Sequence, residues 1–274
     1  MFSMEKTWSR ALELVGANFG TLATIAGLFL FIPSLASVVF LPGMAELMAM
    51  EPGMTPEQIT KAMEGKVGPL LATGAVMLVI QLFAYSAMTR LMGGGRPTVK
   101  DALLAGVAAT LPMVGVLILF VIAVFSVIMV LSLIAAALGA GAAAGFLASV
   151  VMLAVMVWLA ARLFVTMPVM VLENRLNPVA AIRRSWRLTK PKQGRIAAFL
   201  FMLAAAYIVI SIVLLMVVGL MAAIAGDAIF LVAAIQGLLG ALIGMVVCGL
   251  GVAAHEQLTG GTSRPADTSA DVFG

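Results

Sequence analysis

The 274 residues are 63% hydrophobic and only 10% charged, whereas a soluble globular domain is typically about 45–50% apolar and about 25% charged. These proportions exclude a soluble fold, and the apolar runs are long enough for a bilayer core of roughly 30 Å. The net charge of +4 does not indicate nucleic-acid binding, because the basic residues flank apolar spans and the aromatic interleaving typical of base stacking is absent.

Six apolar segments predict an all-α polytopic membrane protein with a single transmembrane domain over residues 1–258. Backbone amides in lipid need internal partners, so each segment is expected to be a helix rather than part of a barrel. The predicted spans are residues 20–41, 67–91, 111–138, 145–172, 196–225 and 228–254. Pro33, Pro112 and Pro168 fall within or at the ends of spans and are expected to kink them.

The basic residues are divided unequally between the two sides of these spans. Of the 16 Lys and Arg residues, Arg162 lies inside a span, Lys61 and Lys66 lie on one side, and all the others lie on the side of the two termini. By the positive-inside rule, both termini are predicted to be cytoplasmic. The first external loop, about residues 42–66, contains a predicted helix start at Thr55 and Pro56. The polar residues 259–274 predict a disordered cytoplasmic tail.

Short amphipathic segments precede the first, third and fifth spans, at residues 4–15, 99–108 and 178–190. The contrast is clearest in the third segment, where Trp186 falls on the apolar half of a helix and Arg183, Arg184 and Arg187 fall on the other half. The pattern favours three repeats, each an interfacial helix followed by a helical hairpin. The alternative is that the cytoplasmic loops are amphipathic without forming repeats.

The third segment and the residues after it carry a cluster of basic side chains. One interpretation is capture of anionic phospholipid headgroups, where each base near the surface adds roughly 1 kcal/mol. The other is that these residues only fix the topology of the chain. The candidate headgroup-binding residues are Arg183, Arg184, Arg187, Lys190, Lys192 and Arg195.

Arg162 lies about ten residues from the end of its predicted span, and an Arg at that depth costs at least about 2.5 kcal/mol unless it is paired or wetted. Glu173 follows on the same helix face, but the two are too far apart for a direct pair on a straight helix. A partner is therefore expected on another helix, with Gln81 and Gln236 as candidates, or in a lipid phosphate or a water-filled pocket. Arg162 is read either as a ligand contact or as structural polar packing.

The last span carries a stripe of small residues at alternating spacings of four and three, Gly237, Ala241, Gly244, Cys248 and Gly251. Such a stripe lets another backbone approach closely, either within the chain or in a homo-oligomer. His255 beside Glu256 has no second ligand at helical spacing, so no metal site is predicted. We find neither a catalytic Ser–His–Asp set nor a phosphate-binding or dinucleotide loop, and we predict no cofactor.

The window from Arg162 to Lys190 carries a specific pattern. An Arg within the fourth span is followed by Pro168, by Glu173 at the membrane exit, by a helix starting at Pro178, and by the run Ser185-Trp186-Arg187-Leu188-Thr189. This pattern resembles the membrane-domain family of glycerophosphoryl diester phosphodiesterase. Ala11-Leu12, Asn18-Phe19, Pro33 and the six-span layout extend the resemblance over nearly the whole chain.

The resemblance implies a bacterial cytoplasmic-membrane protein, and it does not imply hydrolysis. In that family, phosphodiesterase activity belongs to a separate soluble barrel that needs several His residues, and this chain has one His. We therefore expect a non-enzymatic membrane protein that binds anionic lipid or a membrane partner, in a scaffolding or membrane-homeostasis role. The alternative is a transporter or channel for a small solute or lipid, with a polar site around Arg162.

Overall fold

The computed structural model describes residues 2–40, 55–95, 97–137, 139, 141–225 and 229–260. Within these residues every regular element is helical, and six stretches are long and apolar enough to cross a membrane, which confirms the all-α polytopic class. The stretches are Phe19–Ser37, Val67–Met92, Val99–Ala137, Ala143–Leu172, Pro178–Val217 and Ala233–Thr259. The predicted tail beyond Gly260 and most of the first external loop lie outside the described residues.

The α-helices are numbered here in chain order. They are α1 (Met4–Ala17), α2 (Phe19–Ala26), α3 (Ile32–Phe40), α4 (Pro56–Met63), α5 (Val67–Met92), α6 (Val99–Ala137), α7 (Ala142–Leu163), α8 (Thr166–Leu172), α9 (Pro178–Thr189), α10 (Gln193–Ala225) and α11 (Ile229–Thr259).

Side-chain caps define where the short helices begin. The Thr55 hydroxyl accepts from the Gln58 amide, and the Gln58 side chain accepts from the Thr55 amide at 2.8 Å, with Pro56 as the first helical residue. This capping box confirms the predicted helix start in the first external loop. Asn177 caps α9 in a similar way, because its side-chain oxygen accepts from the Ala180 amide at 3.1 Å and Pro178 follows it.

The three prolines affect their helices differently. Before Pro33 the helix widens into a π-helical turn, Gly27–Phe31, as expected where a proline disturbs the hydrogen bonds of the preceding turn. The predicted fourth span is not one helix: it breaks at Phe164 and Val165, and Pro168 lies in the first turn of α8, where its missing N–H has no partner to lose. Pro112 lies inside α6, which continues through it as one helix.

The three amphipathic segments do not have equivalent boundaries. The first forms α1 and ends at Asn18, whose side chain donates to the Leu14 carbonyl at 2.9 Å. The third forms α9 and joins α10 through a short 3₁₀ turn, Lys190–Lys192. The second, residues 99–108, is not a separate helix but the first part of α6, which runs without a break from Val99 to Ala137.

The last helix, α11, is the centre of the bundle and packs against α1, α3 and α5. All five residues of the small-residue stripe are buried on it. A Cβ atom added at Gly237 would come within 2.9 Å of the Ser34 hydroxyl, and one at Gly244 within 2.9 Å of the Tyr85 ring. The stripe therefore permits close helix packing within the chain, which covers the face that the sequence offered for a homo-oligomer.

Candidate functional site

The two ends of the described chain meet at one end of the bundle, called here the basic end. The Ser3 amide donates to the Gln257 side chain at 3.0 Å, and the Gln257 side chain donates back to the Ser3 carbonyl at 3.3 Å. Arg10 on α1 pairs with Glu256 on α11 at 3.0 Å. These contacts fix α1 against the end of α11, so that the first and last helices close the bundle together.

Glu173 is the centre of a charged cluster at the basic end. Its two carboxylate oxygens share a bifurcated hydrogen bond from the Arg184 Nε, at 3.1 and 3.2 Å, and one oxygen accepts from the Arg175 Nε at 2.9 Å. The His255 Nε2 lies 3.1 Å from the same carboxylate, and His255 is buried, with 3% of its surface exposed. Glu173 therefore joins the end of α8, the helix α9 and the end of α11, and we call these four residues the Glu173 cluster.

Burial and hydrogen bonding act in opposite directions on the pKa of Glu173. Desolvation of the carboxylate raises its pKa, but the hydrogen bonds from His255 and Arg184 and the charge of Arg184 outweigh desolvation, so the pKa lies below its ordinary value. The carboxylate is therefore held in its charged form, which is the form that its three donors stabilise.

A tight turn after α8 positions this carboxylate. Glu173 ends the helix, and Asn174 adopts a left-handed backbone conformation with φ of 52°. Asn tolerates this conformation better than most residues because its short polar side chain bonds locally. The turn reverses the chain so that α9 folds back against α7 and α8, which brings Arg184 to Glu173.

Arg162 lies at the end of α7, and its guanidinium group is enclosed by two indole rings. The guanidinium carbon is 5.7 Å from the centre of the Trp158 ring and 5.1 Å from that of Trp186. The two rings meet edge to face at 5.1 Å, and Arg162 is only 7% exposed. Its Nη1 donates to the Trp186 carbonyl at 3.3 Å, and within the described residues its Nε has no hydrogen-bond partner. We call this arrangement the Arg162 cage.

Backbone groups freed by the helix break fasten α9 to the end of α7. The Ser185 hydroxyl donates to the Arg162 carbonyl at 2.7 Å, and the Thr189 hydroxyl donates to the Ser185 carbonyl at 2.9 Å. The last carbonyls of a helix have no partner within it, so the hydroxyl of Ser185 satisfies one of them. The run Ser185-Trp186-Arg187-Leu188-Thr189 thus supplies both a carbonyl and a ring to Arg162.

The structure does not bring the four predicted polar-site residues together. Arg162 lies in its cage and Glu173 in its cluster, while Gln81 is exposed on α5 and Gln236 lines a crevice between α10 and α11. Arg162 does find its partner on another helix, as expected, but that partner is a backbone carbonyl with aromatic rings. Trp158, four residues before Arg162 on the same helix face, was the sequence signal that was missed.

His255 and Arg175 also belong to the Glu173 cluster and were not predicted as site residues. The partner of His255 lies far away in the sequence, so no local pattern indicates it. Arg175 lies only two residues after Glu173, and this short spacing was a signal that could have found it. His255 has Glu256 as its chain neighbour, yet Glu256 pairs with Arg10 and His255 pairs with Glu173.

The six predicted headgroup-binding residues occupy different environments. Arg184 points inward to Glu173, whereas Arg183 and Arg187 are exposed and line a shallow groove of about 510 Å³ with Ile182 and Trp186. After α9, Lys190 and Arg195 are exposed and Lys192 is half-buried; the Arg195 Nη1 lies 3.5 Å from the Phe2 carbonyl. The outward basic surface is therefore smaller than the sequence predicted, because Arg184 is withdrawn from it.

Comparison with known proteins supports the resemblance seen in the sequence. The model of a family described as the membrane domain of glycerophosphoryl diester phosphodiesterase matches residues 140–254, a region that includes the Arg162 cage and Glu173. Searches of curated proteins and of solved structures returned no match. Over residues 140–254, this multi-pass membrane protein is therefore similar to a membrane domain, as distinct from a catalytic domain.

Proposed function

We propose that this protein is a non-enzymatic membrane protein of the bacterial cytoplasmic membrane that binds anionic lipid headgroups through the outward side of α9, with both termini cytoplasmic. The observation that carries the proposal is the groove in which exposed Arg183 and Arg187 stand beside Ile182 and Trp186. Guanidinium groups beside an indole ring suit the boundary between phosphate and acyl chain.

The burial pattern of α9 supports an interfacial orientation. Ala181, Ser185 and Thr189 are buried against the bundle, whereas Val179 is 46% exposed and Trp186 is half-buried. An amphipathic helix that is fixed on one side and exposes both apolar and basic side chains on the other has the composition expected of a helix in the headgroup region. In this orientation Arg183 and Arg187 meet the phosphate layer.

Lipid binding is better supported than passage of a solute past Arg162. Solute passage requires polar side chains from several spans to converge on Arg162, yet indole rings fill the space around its guanidinium group and neither Gln81 nor Gln236 contacts it. The unpaired Gln236 belongs instead to the crevice described below. A scaffolding or membrane-homeostasis role is consistent with headgroup binding of this kind.

The test is native mass spectrometry of the protein released from mixed micelles that contain phosphatidylglycerol and phosphatidylcholine. The double variant Arg183→Gln, Arg187→Gln removes two exposed charges. Because each base near an anionic surface contributes about 1 kcal/mol, retention of phosphatidylglycerol should fall by about tenfold or more relative to phosphatidylcholine.

The matched control is Lys6→Gln, Lys100→Gln, which removes the same charge from exposed residues outside α9. It should leave retention close to that of the unchanged protein. Equal losses in the two double variants would mean that only net charge attracts the lipid, and the proposal of a headgroup site on α9 would then be wrong.

A further inference from the structure

A lateral crevice opens between α10 and α11 within the predicted membrane region. Although these helices are consecutive, α10 packs mainly against α7, and α11 packs against α1, α3 and α5. The space between them has a volume of about 610 Å³ and is also lined by Tyr85 of α5. Its lining along α11 extends from Ile235 to Val247, a length of about 18 Å along the helix.

Four polar side chains line this otherwise apolar crevice: Tyr85, Tyr207, Ser211 and Gln236. In the described part of the chain, none of these side chains has a hydrogen-bond partner. Tyr85 and Ser211 are half-buried, whereas Tyr207 and Gln236 are exposed. A polar group without a partner in the hydrocarbon region costs several kcal/mol, so four at one place indicate that something with polar atoms pairs with them.

The size and the lining of the crevice fit a small uncharged molecule. Pockets for small molecules have volumes of about 300–1,000 Å³, a range that includes this crevice. The lining contains no charged side chain, which disfavours an ionic headgroup.

We propose that the crevice binds an uncharged, elongated, lipid-soluble molecule that carries carbonyl oxygens, with the phenols of Tyr85 and Tyr207, the Ser211 hydroxyl and the Gln236 amide as donors. Two sources share this chemistry, an isoprenoid quinone and a diacylglycerol. A simple acyl chain would fill the volume and leave the four donors unpaired. This site is separate from the headgroup site on α9, because it is uncharged and lined by other helices.

The experiment uses the full chain in phosphatidylcholine nanodiscs that contain either a photoreactive diazirine-bearing quinone or a photoreactive diacylglycerol. After irradiation, labelled peptides are identified by mass spectrometry. The result expected is labelling of α10 and α11 at residues of the crevice by at least one probe, reduced by an excess of the same molecule without diazirine. Which probe labels the crevice distinguishes the two sources.

Two variants test the site itself. Gly240 lines the crevice, and a Cβ atom added there meets no atom within 4 Å, so Gly240→Leu should block the crevice without disturbing the bundle. Gly145→Leu on α7 is the matched control, because it also adds its side chain to open space but lies outside the crevice. Labelling should fall by about tenfold in Gly240→Leu and be unchanged in Gly145→Leu.

The double variant Tyr207→Phe, Ser211→Ala keeps the shape of the crevice and removes two donors. Loss of two hydrogen bonds should reduce labelling about tenfold, at unchanged thermal stability. Failure of both probes to label the crevice, or equal labelling in all variants, would overturn this proposal. Neither result bears on phosphatidylglycerol retention, so the two proposals fail independently.

Discussion

Glu173 and Arg162 belong to the same sequence window, and the protein stabilises the half-buried charge of Glu173 and the buried charge of Arg162 by different means. The Glu173 carboxylate faces three donor groups, two of them guanidinium groups, whereas Arg162 has no carboxylate within salt-bridge distance in the described chain and is covered by indole rings. At Glu173, positively charged side chains compensate the carboxylate. At Arg162, two polarisable indole rings and one backbone carbonyl stabilise the guanidinium group. The comparison teaches that a buried charge need not have an opposite charge, provided that its desolvation is offset in another way.

The largest effect is expected from Glu173→Gln. This change removes the negative charge and leaves Arg184, Arg175 and the buried His255 without a carboxylate partner, so it should lower the free energy of unfolding by about 1–3 kcal/mol. Thermal and chemical unfolding of the purified protein in detergent micelles measures the loss. A loss below about 0.5 kcal/mol would show that the cluster does not hold α8, α9 and α11 together.

The matched control is Glu13→Gln. Glu13 also accepts from an arginine, Arg10, at 3.0 Å, but its side chain is 68% exposed. Exposed ion pairs contribute about 0–1 kcal/mol, so the control should be nearly neutral. A similar loss in the two variants would mean that removal of any negative charge from the basic end destabilises the protein.

Acid should weaken the Glu173 cluster in a defined direction. The pKa of Glu173 is lowered in the folded chain, so the folded state binds fewer protons than the unfolded state in the range just below the ordinary value of 4.5. The stability that this carboxylate contributes is present above that value and is lost as the pH falls through the lowered pKa. The slope of stability against pH below about pH 4.5 should be steeper for the unchanged protein than for Glu173→Gln. Equal slopes would contradict the lowered pKa.

The sequence predicted one half of this comparison better than the other. Composition and apolar length predicted the six spans, and Pro56 and Pro178 marked the starts of α4 and α9. Depth within a span also identified Arg162 as a residue that needs a partner on another helix. The sequence did not identify that partner, because a backbone carbonyl carries no sequence signal. The side chain of Trp186 was predicted to face the membrane interface, and its contact with Arg162 was not predicted.

The Glu173 cluster was less accessible to sequence reasoning. Its members lie as far apart in the chain as Glu173 and His255, and only the fold brings α8 to the end of α11. The broken fourth span was also not predicted from the sequence. A straight helix was assumed between Arg162 and Glu173, but a turn at Phe164 and Val165 separates α7 from α8. Local pattern therefore predicted elements correctly and contacts between distant elements poorly.

The smallest effect is expected from Arg162→Met. Burial of the guanidinium group costs at least about 2.5 kcal/mol. Two cation–π contacts at about 1–2 kcal/mol each and one charged hydrogen bond offset that cost. Methionine fills a similar volume without the desolvation cost, so the free energy of unfolding should change by less than about 1 kcal/mol, well below the loss in Glu173→Gln. Unfolding in detergent micelles and phosphatidylglycerol retention are measured together: a neutral change in both identifies the cage as a packing device. Loss of lipid retention at unchanged stability would instead make Arg162 a ligand for phosphate, reached through the indole rings that cover it.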